Sequence, residues 1–203
     1  DLHFDEWKAG KPFTQNKCLL KFIDYCTGKN KKFNHILDIG AWVGTWSMAM
    51  NKFCGKVVAF EPDALHYECL VKNVSDDIKT HQLAIGAEEK LISLSEDDFT
   101  QSKRILGEGT IPMITIDSLQ LNDVDLIKID VEGAEVSVLA GAIKTIELFK
   151  PLIYLSVHPK ELKETSEGLA GLLDLISEIG YRCVEIDGSQ VANYRLAEYI
   201  LKP

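Results

Sequence analysis

The sequence lacks the features that mark several large classes of protein. Its 203 residues contain no apolar run close to the roughly 18 residues that a membrane-spanning helix needs. It has no C-x-x-C pair, and its five cysteines leave one over if the others are paired. Such a usage is typical of reduced thiols packed in a core. We therefore expect a protein without a membrane span, in a reducing, cytoplasmic compartment.

Positive charge is also scarce. The chain has 22 Lys and Arg against 31 Asp and Glu, which gives a net charge of −9. Proteins that bind nucleic acids draw much of their affinity from contacts with phosphates, and so acidic a chain cannot supply that attraction. We expect no nucleic-acid partner, and the charge favours a small or uncharged substrate.

Residues 1–5 are acidic and polar, so we expect that they are not part of a signal peptide, and the first residue is not Met. Its length suits one compact α/β domain, and no Pro/Gly/Ser-rich linker divides it. We expect a single domain over residues 1–203, with residues 1–30 as an N-terminal helical cap. The missing Met suggests a processed protein or a domain excised from a longer chain.

Short β-branched runs alternate with helical patterns, which is typical of a mostly parallel sheet covered by helices on both faces. The clearest helical pattern follows Gly133, where apolar residues recur at helical spacing. The segment 187–190 has the composition of a hairpin turn, so the sheet should end in an antiparallel C-terminal edge hairpin. Strands are predicted near 35–39, 56–60, 79–85, 90–94, 111–116, 125–130, 152–157, 181–186 and 194–201, and helices near 14–27, 44–53, 63–74, 134–148 and 165–179. Residues 95–110 show little periodicity and predict a long loop, either functional or mobile.

A turn with the features of a nucleoside site follows the first predicted strand. That strand carries Asp38 and ends at Gly40, and Gly44 precedes a helix. A glycine at the end of the strand lets the backbone turn sharply and lets a ligand approach closely. The next strand ends in Glu61, 21 residues beyond Gly40. A carboxylate there can accept hydrogen bonds from both hydroxyls of a ribose.

The dinucleotide fingerprint G-x-G-x-x-G is missing, because Trp42 stands where its second glycine would be. A Trp there obstructs a pyrophosphate but leaves room for a nucleoside whose tail is an amino acid. S-adenosylmethionine has no phosphate and carries an amino group with which Asp38 is placed to pair. The pattern therefore favours this cofactor over NAD, and the alternative for Asp38 is a cap on the loop.

The segment 125–135 places charges on a central strand. Period-2 alternation puts Lys128 and Asp130 on one face, where burial requires matched partners. Charges at the carboxyl end of such a strand, beside the cofactor crevice, are candidates for catalysis. Lys128 is expected to position Asp130 or to pair with Asp117. The alternative is a structural Lys–Asp pair that opens onto solvent.

Five segments, taken in order over about residues 36–158, resemble the pattern of FkbM-type methyltransferases. They are Leu37-Asp38-Ile39-Gly40-Ala41-x-x-Gly44, Ala59-Phe60-Glu61-Pro62, Ala84-Ile85-Gly86, Ile116-Asp117-Ser118-Leu119 and Leu126-Ile127-Lys128-Ile129-Asp130-Val131-Glu132-Gly133-Ala134-Glu135. The resemblance implies the Rossmann-like fold of class I methyltransferases, S-adenosylmethionine as cofactor, and methylation of hydroxyls, often on sugars or polyketide-derived products. Trp42 departs from the smaller polar residue usual in the family.

The sequence and the resemblance together predict two sets of site residues. The cofactor-binding set is Asp38, Gly40, Ala41, Trp42, Gly44, Glu61, Pro62, Ala84 and Asp130, and the catalytic set is Lys128, Asp130, Glu132 and His158. We expect the partner to be a small hydroxylated acceptor, with a sugar or glycan implied by the resemblance.

Transfer to a hydroxyl requires a base, because an alcohol does not ionise at neutral pH. His158 closes a predicted strand and titrates near neutrality, and Asp130 is the competing base. A Mg²⁺ ion on Asp130 and Glu132 is a further alternative, for which the spacing offers no third ligand. A nucleotide-binding domain without catalysis and an NAD-dependent oxidoreductase remain the other classes of function.

Overall fold

The structure, a computed structural model, describes residues 14–95 and 104–203. Its helices, in chain order, are α1 (Thr14–Gly28), α2 (Thr45–Met50), α3 (Ala64–Asn73), α4 (Glu135–Ala140), α5 (Ile143–Phe149), α6 (Pro159–Leu162) and α7 (Gly168–Glu178). Its strands are β1 (Phe33–Ile39), β2 (Cys54–Phe60), β3 (Ile78–His81), β4 (Ala84–Ile85), β5 (Lys90–Leu94), β6 (Ile105–Ile114), β7 (Leu126–Ile129), β8 (Leu152–Val157), β9 (Arg182–Glu185) and β10 (Ala197–Lys202). The first 13 residues of the predicted cap and residues 96–103 of the predicted loop lie outside the described residues.

The main sheet has seven strands in the order β3-β2-β1-β7-β8-β10-β9. The first five are parallel, whereas β10 pairs antiparallel with both β8 and β9. The predicted mostly parallel sheet and its antiparallel C-terminal edge are confirmed, although the last strand begins at Ala197 rather than at 194. The strand order reverses between β1 and β7, so a crevice opens at their carboxyl ends.

Helices cover both faces of this sheet. Alternate residues of each strand belong to two separate clusters of buried apolar side chains, as the pleat requires. On β7, Ile127 and Ile129 pack with α4, α5 and α7, whereas Leu126 packs with α1, α2 and α3. The predicted α/β layering is therefore confirmed. Over the described ranges, no helix combines the length and the apolar character needed to cross a membrane.

A second, three-stranded sheet of order β4-β6-β5 corrects two predictions. The strand predicted at 79–85 divides into β3, in the main sheet, and β4, in the second sheet. Residues 105–110, predicted as loop, belong to β6. The register between β5 and β6 shifts on both sides of Ser93, which lies opposite Gly107. Such an irregular strand loses the period-2 alternation by which strands are recognised in a sequence.

The helix predicted over 134–148 is interrupted between α4 and α5. A Cβ atom on Gly141 would lie 2.0 Å from the carbonyl oxygen of Gly86, so the chain passes the second sheet too closely for a side chain. The carboxylate of Asp117 accepts hydrogen bonds from the backbone N–H groups of Lys144 and Thr145, and thereby caps α5. Two helices form instead of one, because Asp117, which is distant in sequence, accepts hydrogen bonds from free backbone N–H groups at the start of α5.

We predict that Gly141→Ala lowers the free energy of unfolding by about 3 kcal/mol, because the added methyl group must displace the backbone at Gly86. Urea denaturation monitored by circular dichroism measures the effect. Gly28→Ala is the control, since a Cβ atom at Gly28 meets no atom within 4 Å. Equal stabilities of the two variants would contradict the close approach.

Candidate active site

Two opposite charges lie side by side in the centre of the sheet. Asp38 on β1 and Lys128 on β7 are direct partners in the parallel register, and both side chains are buried. The Lys128 Nζ atom lies 3.0 Å from Asp38 Oδ1 and 3.7 Å from Asp130 Oδ2. Burial opposes the charged amine, but the carboxylates of Asp38 and Asp130 outweigh it and raise the pKa of Lys128. Lys128 is therefore a fixed cation rather than a base.

The same pair holds the loop that follows β1. Lys128 Nζ also donates to the carbonyl oxygen of Gly40 at 2.5 Å, and the Ser47 hydroxyl on α2 donates to Asp38 Oδ2 at 2.6 Å. Asp38 thus has Lys128 and Ser47 as partners, and its contact with the cofactor's amino group stays a prediction. The predicted pair between Lys128 and Asp117 is wrong, because Asp117 caps α5.

The turn at Gly40 packs directly against the end of β7. Gly40 has φ +75°, and a Cβ atom there would lie 1.9 Å from the carbonyl oxygen of Asp130. The backbone N–H groups of Gly40 and Ala41 both donate to the carbonyl oxygen of Phe60 at 3.0 Å. Gly44, with φ +90°, begins α2. These contacts fix the loop between two strands and a helix.

Glu61 lies immediately after β2 and is 5% exposed. Its Oε2 atom accepts the backbone N–H of Trp42 at 2.9 Å, and its Oε1 atom accepts that of Asp63 at 3.0 Å. Trp42 has φ +51°, a left-handed conformation that is uncommon for a residue other than glycine. His66 packs edge-on against the Trp42 ring. The Glu61 carboxylate therefore sets the position of the loop that faces it.

Most of the predicted site residues line one cavity at the carboxyl ends of β1, β2 and β7. They are Gly40, Ala41, Trp42, Glu61, Pro62, Ala84, Lys128, Asp130 and Glu132. Asp38, Gly44 and His158 are not among the residues that line this cavity. Apolar side chains, among them Phe60, Leu83 and Ile85, form the wall beyond Glu61.

His158 lies among three carboxylates. Its Nδ1 atom is 2.6 Å from Glu135 Oε1, and its Nε2 atom is 3.6 Å from Asp130 Oδ1 and 3.4 Å from Glu132 Oε2. Burial opposes the charged imidazole, but the hydrogen bond to Glu135 and the nearby negative charges outweigh it. Together they raise the pKa of His158 to about 9. The raised pKa favours a protonated imidazole at neutral pH, which disfavours His158 as the base and leaves Asp130 as the other candidate.

Several cavity residues were not predicted. Tyr154 and Ser156 on β8, Glu198 on β10 and Trp46 on α2 also line the cavity. In the sheet, β8 and β10 lie on the other side of β7 from β2, and Trp46 packs against Tyr154. The alternation of Tyr154 and Ser156 along β8 is a signal that could have found two of them. Glu198 lies opposite Ser156 in the antiparallel register, and burial raises the pKa of its carboxyl group. No local pattern of residues identifies Glu198, because it reaches the cavity only through the pairing of β10 with β8, which are distant in sequence.

A mostly parallel seven-stranded sheet, with its site at the reversal of strand order, defines the Rossmann-like fold of class I methyltransferases. The model of the methyltransferase FkbM domain matches residues 38–183. The chain belongs to this family, and the resemblance seen in its motifs is confirmed. None of the curated proteins is similar enough in sequence to count as a match.

Solved structures share the fold at low sequence identity. A methyltransferase FkbM from Methylobacillus flagellatus has a TM-score of 0.58 and 21% identity. The match covers 84% of this chain but only 43% of that longer chain, so this chain spans less than half of its length. The N-methyltransferase NodS from Bradyrhizobium japonicum has a TM-score of 0.53 and 9% identity, with 93% of each chain covered. A magnesium protoporphyrin IX methyltransferase from Synechocystis, with bound S-adenosylmethionine, has a TM-score of 0.51 and 12% identity. That match covers 98% of this chain and 89% of the Synechocystis chain.

We predict that Lys128→Met lowers the free energy of unfolding by about 3–5 kcal/mol, because it leaves the carboxylate of Asp38 buried without its cation. Chemical denaturation of the single variants and of the double variant Asp38→Asn/Lys128→Met measures the coupling between the two residues. The double variant should be more stable than Lys128→Met alone, since it buries no uncompensated charge. Additive losses would contradict a coupled pair.

The raised pKa of His158 predicts a stability that depends on pH. Because the folded-state pKa of about 9 exceeds the unfolded value near 6.5, the protonated imidazole stabilises the fold fully below pH 6.5. This contribution is lost as the pH rises through 9. The stability advantage of wild type over His158→Asn should therefore fall by on the order of 3 kcal/mol between pH 6 and pH 10. Urea denaturation at both pH values tests this, and a constant difference would refute it.

Proposed function

We propose that the protein is an S-adenosylmethionine-dependent O-methyltransferase whose acceptor is a hydroxyl of a small molecule, a sugar or glycan. The observation that carries the proposal is the position of Glu61. Its carboxylate lies at the carboxyl end of β2, lines the cavity, and faces the tight loop from Gly40 to Trp42. This is the place at which a carboxylate in a Rossmann-like fold receives ribose hydroxyls.

The residues around Glu61 fit a nucleoside with an amino-acid tail. Each Glu61 oxygen accepts one backbone N–H and keeps a second lone pair for a ribose hydroxyl. Phe60, Pro62 and Ala84 offer an apolar wall for an adenine. The carboxylates of Asp130 and Glu132 suit a ligand with net positive charge and would repel a pyrophosphate. When bound, S-adenosylmethionine supplies an electrophilic methyl group on a sulfonium.

The protein's own contribution to the reaction is alignment and removal of one proton. Most of the acceleration should come from holding the acceptor oxygen in line with the methyl group. Asp130 is positioned to accept the hydroxyl proton, because Lys128 and His158 hold its carboxylate from two sides at 3.7 and 3.6 Å. His158, protonated at neutral pH, orients Asp130 rather than competing with it.

The far side of the cavity supports a hydroxylated acceptor. The hydroxyls of Tyr154 and Ser156 and the carboxylate of Glu198 can exchange hydrogen bonds with several hydroxyl groups, and Trp46 offers an aromatic surface. An excess of carboxylates there disfavours phosphorylated acceptors. A divalent cation on Asp130 and Glu132, which the sequence leaves open as an alternative with Mg²⁺ as the ion, would be a second means of lowering the acceptor's pKa.

We predict that Glu61→Ala weakens S-adenosylmethionine binding about 100-fold, because two hydrogen bonds to the ribose are lost. Isothermal titration calorimetry of the wild type and the variant measures this, with NAD as a ligand that should not bind. Glu68→Gln, an exposed residue of α3, is the matched control. Equal affinities of wild type and Glu61→Ala would place the cofactor elsewhere.

Turnover separates an enzyme from a binding module. With neutral sugars as acceptors, the wild type should release S-adenosylhomocysteine, and Asp130→Asn should bind the cofactor but release at least 100-fold less product. Phosphorylated forms of the same sugars should react more slowly, given the acidic cavity. Affinity for the cofactor with no product from any hydroxylated or amine acceptor would favour a domain that only binds nucleosides.

A further inference from the structure

Two carboxylates that line the cavity and one buried imidazole form a compact cluster, made of Asp130, Glu132 and His158. One donor atom from each of them lies within 4.8 Å of the others. His158 Nε2 is 3.6 Å from Asp130 Oδ1 and 3.4 Å from Glu132 Oε2. Donor atoms that share one ion at bonds of about 2.1 Å are separated by roughly 3.0–3.4 Å. Small side-chain movements would bring this cluster to that spacing.

Glu135 orients the imidazole from behind. It is fully buried, and its Oε1 atom contacts His158 Nδ1 at 2.6 Å while also accepting the backbone N–H of Gly133. A proton held on Nδ1 by this carboxylate leaves Nε2 as the nitrogen that can bind an ion, and binding releases to solvent the proton that Nε2 carries at neutral pH. Histidines that bind metals are commonly supported in this way by a carboxylate on the other ring nitrogen.

The charge around the cavity also favours a cation. The acidic side chains that line the cavity are Glu61, Asp130, Glu132 and Glu198. The cation among the lining residues, Lys128, is already paired with buried Asp38 at 3.0 Å. The backbone of Glu132 has φ +51°, an unfavourable conformation for a residue with a side chain, at the position that brings its carboxylate to His158.

We propose that Asp130, Glu132 and His158 bind a divalent transition-metal ion of the Mn²⁺ type, next to the cofactor cavity. One imidazole nitrogen and two carboxylate oxygens form a mixed donor set, which suits Mn²⁺ better than Mg²⁺, an ion that prefers oxygen ligands alone. Three protein ligands leave coordination positions open for water or for an acceptor hydroxyl. The role in catalysis rests on the proposed methyltransferase function, because the ion would lower the pKa of that hydroxyl; binding of the ion does not rest on it.

The test is titration of Mn²⁺ into the full chain after removal of metals with a chelator, followed by calorimetry and by electron paramagnetic resonance. We expect one Mn²⁺ per chain, weaker binding of Mg²⁺, and coupling of the bound Mn²⁺ to an imidazole nitrogen. Glu132→Gln and His158→Asn should each weaken Mn²⁺ binding at least tenfold, and Glu135→Gln should weaken it 10- to 100-fold through the orientation of His158. Circular dichroism verifies that each variant is folded.

Glu68→Gln is the matched control, because it removes an exposed carboxylate of α3 that lies outside both the cluster and the cavity lining, and it should leave Mn²⁺ binding unchanged. Absence of Mn²⁺ binding at millimolar concentration would overturn the proposal. It would also be overturned if Glu132→Gln bound as well as wild type, or if no nitrogen coupling appeared. Titration of S-adenosylmethionine in the same samples keeps the two proposals apart. Cofactor binding without Mn²⁺ binding refutes the metal site alone, and Mn²⁺ binding without cofactor binding refutes the methyltransferase proposal alone.

Discussion

The ion pair between Asp38 and Lys128 lies in the middle of the sheet, covered by helices and removed from water. Charges in such a place are tolerated only when their partners are matched, and here the parallel register of β1 and β7 places them directly beside each other. Because Lys128 also donates to the carbonyl oxygen of Gly40, the loop after β1 is tied to the neighbouring strand. The ion pair therefore fixes the loop from Gly40 to Trp42, which lines the cavity.

The functional groups of the cavity form two regions. Glu61 and Trp42, linked by a backbone hydrogen bond of 2.9 Å, form the region that we propose for the cofactor. Tyr154, Ser156 and Glu198 form the region that we propose for the acceptor. Asp130 lies between them, at the end of the strand that carries Lys128, so the residue proposed as the base is held by the same ion pair that positions the loop.

His158 and Glu135 form a second buried polar pair, on the outer side of Asp130. The two pairs differ in what they do to their neighbours. Lys128 is neutralised by Asp38, whereas Glu135 orients His158 toward two further carboxylates, Asp130 and Glu132. The excess of negative charge that results raises the pKa of the imidazole. It also makes the same cluster suited to a divalent cation.

Features that depend on short stretches of chain could be predicted from the sequence alone: the strand and glycine turn at Gly40, the acid that follows β2, and the charged end of β7. Each is encoded by local periodicity or by a residue type that a turn requires. The tertiary structure decided the rest, because it brought together residues far apart in the chain. Asp38 meets Lys128, 90 positions away, and His158 meets Glu135, which raises the pKa of its imidazole above that of an isolated histidine. Burial and long-range pairing set these charges, and neither is visible in a local pattern of residues.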